Sequence, residues 1–187
     1  RLYDRLREGH VEAIRGHFNA APEYQNKLAR FLENHDEPRI SDTLGPDQHK
    51  AAAIITFFSP GLRFFHQGQF QGRQKRISPH LVRGPDEPID QQMEQFYDRL
   101  LAVLRQPSVR QGQWQLLDCV PAWDGNWTWD CFLAFAWHGP GDERLLVEAT
   151  RATLRRLVDP AEVRARVFAQ DGALVADSFR LAGPAGI

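Results

Sequence analysis

The residues best suited to chemistry lie in one polar string that follows an apolar run. The run ends at Leu32, and Asn34-His35-Asp36 follows, with Arg39 three positions after the aspartate. A neutral imidazole can hold one hydroxyl while the neighbouring carboxylate takes another and stabilises positive charge that develops at a reacting carbon. The string therefore predicts a site that binds a ligand with several hydroxyl groups.

The elements around this string alternate between helix and strand. A surface helix is expected over Leu2 to Phe18, and buried strands are expected over Leu28 to Leu32 and over Leu62 to His66. A helix over Asp47 to Phe58, with Pro46 in its first turn, lies between the two strands, and a helix capped by Asp90 and ended by Pro107 follows them. Connections of this length predict parallel β/α units, in which the loops after the strands converge on one mouth.

At this point the chain resembles a known family. Phe31-Leu32-Glu33-Asn34-His35-Asp36 with Arg39 is similar to the seventh-strand motif of glycoside hydrolase family 13, the α-amylase family. The segment from Gly61 to Gln69 resembles the eighth-strand segment of that family, although Gln69 stands where a glutamate is common. The two motifs occur in the right order with one helix between them, and the resemblance covers roughly residues 1 to 137.

The resemblance implies roles for the motif residues. Asp36 would be the catalytic carboxylate that stabilises the transition state, and His35 would bind the sugar before the scissile bond, with Asn34 and Arg39 orienting and bracing the pair. A retaining glycosidase also needs a nucleophile and an acid/base about 5 Å apart. In this family they come from earlier strands, so neither is expected in this chain, and nothing indicates that Glu33 or Glu37 replaces them. No organic cofactor is implied and no metal ligand is assigned in this chain, while the calcium requirement of the parent enzyme is open. Hydrolysis and glycosyl transfer are also both open.

The expected fold class is α/β, with three parts. Residues 1–107 would be the last β/α units of a (β/α)8 barrel, which in full takes about 250 residues. Residues 108–147 would begin an antiparallel β-sandwich domain, with strands over Trp114 to Val120, Trp129 to Trp137 and Leu145 to Val147. Residues 148–187 form an atypical tail, with a helix expected from Glu148 to Arg166, and a shifted reading frame or an incomplete gene is one hypothesis for it.

Composition limits the partners. The balance of 23 basic and 24 acidic residues makes nucleic acid an unexpected partner, and no apolar run approaches the roughly 20 residues of a membrane span. The partner that the family resemblance implies is an α-glucan. The only methionine is Met93, so any signal peptide would be invisible and the compartment stays open, with the cytoplasm slightly favoured. The oligomeric state is also open, and Cys119 and Cys131 are either reduced core thiols or a bridged pair across a hairpin.

Other readings remain open at this stage. A non-catalytic carbohydrate-binding or structural remnant of the fold is the main alternative, and a doubly wound α/β domain is disfavoured because no glycine-rich phosphate loop is present. The tryptophans Trp123, Trp127 and Trp129 could stack on sugar rings, but packing in the core and at the corner of the turn is preferred. The basic segment Arg73 to Arg76 is expected to be a solvated loop, and His66 is notable because it lies near a strand end.

Overall fold

The structure is a computed structural model of the chain, and it describes residues 2–8, 11–80, 82–126, 129, 132–150, 165–169 and 174–177. In the first part of the chain, two short strands lie among the described helices, and strands dominate the second part. The helices are α1 (Leu2–Glu8), α2 (Val11–Phe18), α3 (Pro22–Gln25), α4 (Ile40–Thr43), α5 (Pro46–Phe57), α6 (Gln91–Leu104) and α7 (Pro107–Arg110). The strands are β1 (Ala29–Arg30), β2 (Leu62–Arg63), β3 (Gln113–Leu117), β4 (Phe132–His138), β5 (Arg144–Thr150), β6 (Ala165–Ala169) and β7 (Leu174–Asp177).

The two short strands of the first part pair in parallel, as the sequence predicts. Ala29 lies opposite Leu62, and the amide of Leu62 donates to the carbonyl of Leu28 at 2.9 Å. The close approach depends on Gly61, which has a φ of 119° and on which a Cβ would clash with the Leu28 carbonyl. The ladder is only two residues long in each strand, shorter than expected, so the chain leaves β1 just before the polar string.

The helices α5 and α6 form as their sequences indicate. Pro46 occupies the first turn of α5, and most of this helix is buried. Asp90 caps α6, with its Oδ1 accepting hydrogen bonds from the amides of Gln92 and Met93, both at 3.0 Å. The apolar stripe predicted on α6 is buried, so this helix packs against the core.

The range of the expected surface helix, Leu2 to Phe18, contains α1 and α2, and residues 9 and 10 between them lie outside the described residues. Both helices contribute to the core, because Leu2, Leu6, Ile14 and Phe18 are buried. Phe18 packs against Trp114 and Phe135 of the second part, at ring-centroid distances of 5.7 and 5.8 Å.

The second part is an antiparallel sheet, as predicted. Its strand order is β3-β4-β5-β6-β7, and Phe135 of β4 faces both Leu116 of β3 and Val147 of β5 in the ladder. Strand β4 is long and apolar, and its residues Leu133, Phe135 and Trp137 are buried. The core is shared with the first part, because the Trp137 indole donates to the carbonyl of Phe58 at 2.7 Å.

The helix expected over residues 148–166 is wrong at both of its ends. β5 continues through Thr150, which pairs with Phe132, and Arg166 of β6 pairs with Glu148. Glutamate, alanine and arginine favour helices locally, but pairing with the neighbouring strand and burial of Leu145 and Val147 override that preference. Residues 151–164, the middle of the expected helix, lie outside the described residues.

The domain boundary near residue 108 stays a prediction, as does the atypical origin of residues 148–187. Within the part of the chain that the structure describes, no helix has the length and apolar character needed to cross a membrane.

Candidate functional site

The Asn34-His35-Asp36 string forms an exposed turn immediately after β1. The side-chain oxygen of Asn34 accepts hydrogen bonds from the amides of Asp36 and Glu37, at 2.8 and 2.9 Å, which folds the backbone back on itself. The turn leaves His35 and Asp36 with side chains that are 63% and 76% exposed, and His35 Nε2 lies 3.4 Å from Asp36 Oδ2. Both functional groups are therefore presented side by side to solvent.

A buried ion pair lies beneath the turn. Arg39 Nη1 donates to Glu33 Oε1 at 2.6 Å, and the two side chains are 3% and 0% exposed. The other carboxylate oxygen, Oε2, accepts from the amide of Ile40 at 2.7 Å. These contacts join Glu33, which precedes the turn, to Arg39 and Ile40, which follow it. Together they form a buried frame around residues 33–40.

The loop after β2 attaches to the same frame. Arg39 Nη1 donates to the carbonyl of Gln67 at 2.7 Å and lies 3.0 Å from Nδ1 of His66. From further along the loop, the guanidinium of Arg76 donates to the carbonyl of His35 at 3.2 and 3.3 Å. The loops after the two parallel strands are thus joined by hydrogen bonds, and the loop after β2 supports the turn from one side.

Two clefts border the turn. The larger one, of about 780 Å³, extends along β1 and is lined by Tyr24, Arg30, Phe31, Asn34, Asp36 and Glu37 among others. The smaller one, of about 550 Å³, is lined by residues that include His35, Arg39, His66, Gln67, Gln71 and Arg73. Adjacent motif residues therefore contribute to different clefts, with Asp36 on the larger cleft and His35 on the smaller.

A buried arginine contributes to the wall of the larger cleft. Arg30 contacts His17 Nε2 at 2.7 Å, donates to the carbonyl of Pro60 at 2.7 Å and is hydrogen-bonded to Gln25. Burial lowers the pKa of Arg30 to about 10, and burial together with the positive charge of Arg30 lowers the pKa of His17 to about 4. His17 is therefore neutral at neutral pH and can accept the arginine hydrogen bond.

The structure brings together all four residues that the sequence singles out, but in two different environments. Asn34, His35 and Asp36 form the turn, whereas Arg39 is buried and its guanidinium is occupied by protein groups. The sequence reading missed Glu33, which faces Arg39 and not the cleft. A buried arginine needs a counter-charge. A carboxylate close to Arg39 in the sequence was therefore the signal that could have identified Glu33.

Other sequence expectations have different outcomes. Trp123 is 68% exposed, so core packing is wrong for this residue, while Trp127 lies outside the described residues. Cys119 is half-buried with its pKa raised by burial, but Cys131 lies outside the described residues and the bridge stays a prediction. The basic loop is mostly exposed, and Glu87 accepts hydrogen bonds from the amides of Gln74 and Lys75.

Within the described ranges, no group of three or more histidine, cysteine, aspartate or glutamate side chains is arranged to hold a metal ion.

Solved structures with a similar fold are α-amylase-type enzymes. A noncanonic maltogenic α-amylase from Thermotoga neapolitana superposes with a TM-score of 0.61 at 15% identity, over 81% of this chain and 36% of its own length. An α-amylase from Geobacillus thermoleovorans, complexed with acarbose, gives a TM-score of 0.57 at 18% identity, over 80% of this chain and 35% of its own. A cyclic α-maltosyl-(1→6)-maltose hydrolase from Arthrobacter globiformis gives 0.58 at 18% identity, over 91% and 41%.

These comparisons show a fold. The chain has the fold of part of the α-amylase-type enzymes and spans less than half the length of each of these three. No curated protein matches the chain. A family model described as a stimulus-sensing domain matches residues 145–187, which include many residues outside the described ranges.

Proposed function

We propose that this chain supplies the sugar-contacting turn of an α-amylase-type glycoside hydrolase or transglycosylase that acts on α-glucosidic bonds of α-glucans or maltooligosaccharides. The observation that carries the proposal is the presentation of His35 and Asp36. They stand exposed and 3.4 Å apart on a braced turn at the end of a parallel strand, in a fold shared with α-amylase-type enzymes.

Each motif residue has a proposed role that follows from its surroundings. Asp36 has an exposed carboxylate on the larger cleft, so it can accept hydrogen bonds from sugar hydroxyls and stabilise the oxocarbenium-like charge of the transition state. His35 binds a neighbouring hydroxyl. Asn34 shapes the turn through its two backbone contacts, and Arg39 braces it from below, so Arg39 acts through the turn and not on the sugar.

The nucleophile and the acid/base of the proposed retaining reaction lie on polypeptide other than these 187 residues. The exposed face of the parallel pair supports this part of the proposal. Leu62 and Phe64 are 70% and 41% exposed, and Phe31 packs edge-on against Phe64 at 6.4 Å. Parallel sheets are normally covered on both faces, and further β/α units would cover this one. The chain alone is then expected to be inactive.

The test is activity on maltooligosaccharides, measured for this chain and for a longer polypeptide of the same gene that adds the preceding barrel units. Hydrolysis or transfer only in the longer form, reduced about a hundred- to a thousand-fold by Asp36→Asn, is the expected result, since a charge-stabilising contact in the transition state is removed. The matched control is Asp42→Asn, which removes an exposed carboxylate outside the turn and should leave activity unchanged.

Two outcomes would contradict the proposal. Activity of the 187-residue chain by itself would mean that the catalytic carboxylates have been misassigned. Inactivity of both polypeptides, together with sugar binding that survives, would favour a non-catalytic carbohydrate-binding protein.

A further inference from the structure

Beneath the loop after β2, a chain of hydrogen bonds connects four polar side chains from different elements. Ser41 Oγ lies 3.2 Å from His49 Nδ1, and His49 Nε2 lies 2.7 Å from the hydroxyl of Tyr97. Gln69 Nε2 donates to that hydroxyl at 2.7 Å, and Gln69 Oε1 accepts from the amide of His66 at 3.3 Å. His49, Tyr97 and Gln69 are 0%, 0% and 1% exposed, so water cannot replace any of their partners.

The donor and acceptor capacities fix the direction of this chain. The amide of Gln69 can only donate through its nitrogen, so the Tyr97 oxygen accepts and its single proton is left for His49 Nε2. His49 must then carry its own proton on Nδ1 and donate it to Ser41. Burial, with a contribution from Lys50, lowers the pKa of His49 to about 3, and burial raises the pKa of Tyr97, so both groups stay neutral at physiological pH.

The surroundings of the Tyr97 ring in this hydrogen-bond chain are mostly aromatic. The aromatic rings of Phe65, Phe70 and Phe96 pack around Tyr97 at centroid distances of 6.4, 4.9 and 5.3 Å. The charged groups near this hydrogen-bond chain are Lys50, beside His49, and the Glu33 carboxylate, which is already paired with Arg39. The side chains of Arg39 and Arg73 lie against Gly68, the residue before Gln69. A negative charge at position 69 would therefore be buried among rings, with the Glu33 carboxylate as a like-charged neighbour.

The far end of the chain is the segment that holds Arg39. Gln69 fixes the amide of His66, and the carbonyl of the next residue, Gln67, accepts from Arg39 at 2.7 Å. The Nδ1 atom of His66 lies 3.0 Å from the same guanidinium nitrogen. The position of this segment is thus transmitted through Arg39 to the turn that carries His35 and Asp36.

We propose that this chain of hydrogen bonds is a directed, uncharged relay that requires a hydrogen-bond donor at position 69. In this proposal, Gln69 and Tyr97 are positioning residues for the turn. The relay explains why an amide stands at position 69, where the resembling family commonly has a glutamate. The arrangement of protons rests on the hydrogen-bond geometry and on the neutrality of His49 and Tyr97, whereas the consequence for sugar binding rests on the proposed function.

A glutamate at position 69 can donate to Tyr97 only when it is protonated. Its pKa in the folded protein should rise well above about 4.3, the value expected in the unfolded chain. A carboxyl whose folded pKa is raised leaves stability intact below the unfolded pKa and lowers it as the pH rises towards the folded pKa. Gln69→Glu should therefore be tolerated in acid and destabilising at neutral pH.

The experiment is thermal unfolding of the 187-residue chain and its variants at pH 4 and pH 7.5. We expect Gln69→Glu to lower Tm by at least about 6 °C more at pH 7.5 than at pH 4, relative to the parent chain. The matched control is Gln95→Glu, the same substitution on the exposed side of α6, which should show no such difference. An equal effect of Gln69→Glu at both pH values would overturn the requirement for a donor.

Nitrogen NMR of the His49 ring provides the second measurement. The parent chain should show a proton on Nδ1 and none on Nε2, without titration between pH 5 and pH 8, and Tyr97→Phe should change the Nε2 resonance. A proton on Nε2 would overturn the direction of the relay.

Acarbose binding, followed by NMR at pH 7.5, tests the positioning role. Gln69→Glu should weaken it, and lowering the pH should recover more affinity in the variant than in the parent chain. If the parent chain does not bind acarbose, the proposed function is contradicted. The Tm measurements and the NMR of the His49 ring would still decide whether the relay has the proposed direction and needs a donor at position 69. Unchanged binding by a variant that shows the Tm effect would overturn the positioning role.

Discussion

The turn and the frame beneath it are adjacent in sequence but opposite in environment. His35 and Asp36 are mostly exposed and contact one another at 3.4 Å, whereas Glu33 and Arg39 are buried and joined at 2.6 Å. A ligand must reach the first pair, and water must be excluded from the second for its hydrogen bonds to hold a fixed geometry. One short motif therefore encodes both the groups proposed to contact a sugar and the buried pair that orients them.

The largest expected effect comes from breaking the frame. Glu33→Gln should lower the free energy of unfolding by about 3–5 kcal/mol, because it leaves the Arg39 charge buried without its counter-charge. Urea denaturation of the 187-residue chain measures the change. Asp47→Asn is the control, since it removes only a more exposed contact to Lys50 at 3.8 Å and should cost less than about 1 kcal/mol. A similar, small cost for both variants would mean that the buried pair does not support the turn.

The pH dependence of stability should separate the two histidines of this region. The pKa of buried His49 is lowered to about 3, against about 6.5 in an unfolded chain. Its contribution to stability is therefore complete above pH 6.5 and is lost as the pH falls towards 3. In the parent chain, the unfolding free energy should decline from pH 6.5 to pH 4. The decline should be shallower in His49→Gln, whereas the exposed-site variant His35→Gln should keep the slope of the parent chain. Equal slopes in the parent chain and His49→Gln would contradict the neutral, buried role of this imidazole.

Removing the turn's own side-chain bonds should have an intermediate effect. Asn34→Ala deletes the acceptor of two backbone amides and should cost about 1–2 kcal/mol in unfolding free energy. Asn34→Asp keeps an oxygen in place and should cost less, as judged by the same denaturation curves. If aspartate proves as damaging as alanine, the hydrogen bonds are not what holds the turn.

The smallest effect on stability is expected at the exposed carboxylate. Asp36→Asn should change the free energy of unfolding by no more than about 0.5 kcal/mol, because the side chain lacks buried contacts. Denaturation in parallel with Glu33→Gln gives the comparison directly. A loss as large as that of Glu33→Gln would show that Asp36 belongs to the frame.

The sequence predicts the parts of this fold that depend on local signals. Pro46 and Asp90 mark the starts of α5 and α6, and the apolar runs that end at Leu32 and begin at Leu62 give the parallel pair. The exposed motif residues are also recognisable, because their types and spacing carry the chemistry.

The parts that depend on distant partners are not predictable in the same way. Glu148 and Ala149 favour a helix locally but extend β5 because β4 and β6 pair with them. Glu33 resembles a surface carboxylate until its contact with Arg39 is seen, and the exposure of Trp123 depends on what covers it. In each case, the deciding interaction joins residues whose proximity is set by the tertiary fold.

The most direct test of the central claim is the site of sugar contact on this chain. Backbone amide shifts of the ¹⁵N-labelled protein would be followed by NMR during titration with acarbose, for the parent chain, Asp36→Asn and Asp42→Asn. We expect shifts concentrated at residues 34–37 and 66–69, which are lost in Asp36→Asn and kept in Asp42→Asn. Shifts that persist in Asp36→Asn, or that centre on Trp123, would contradict it.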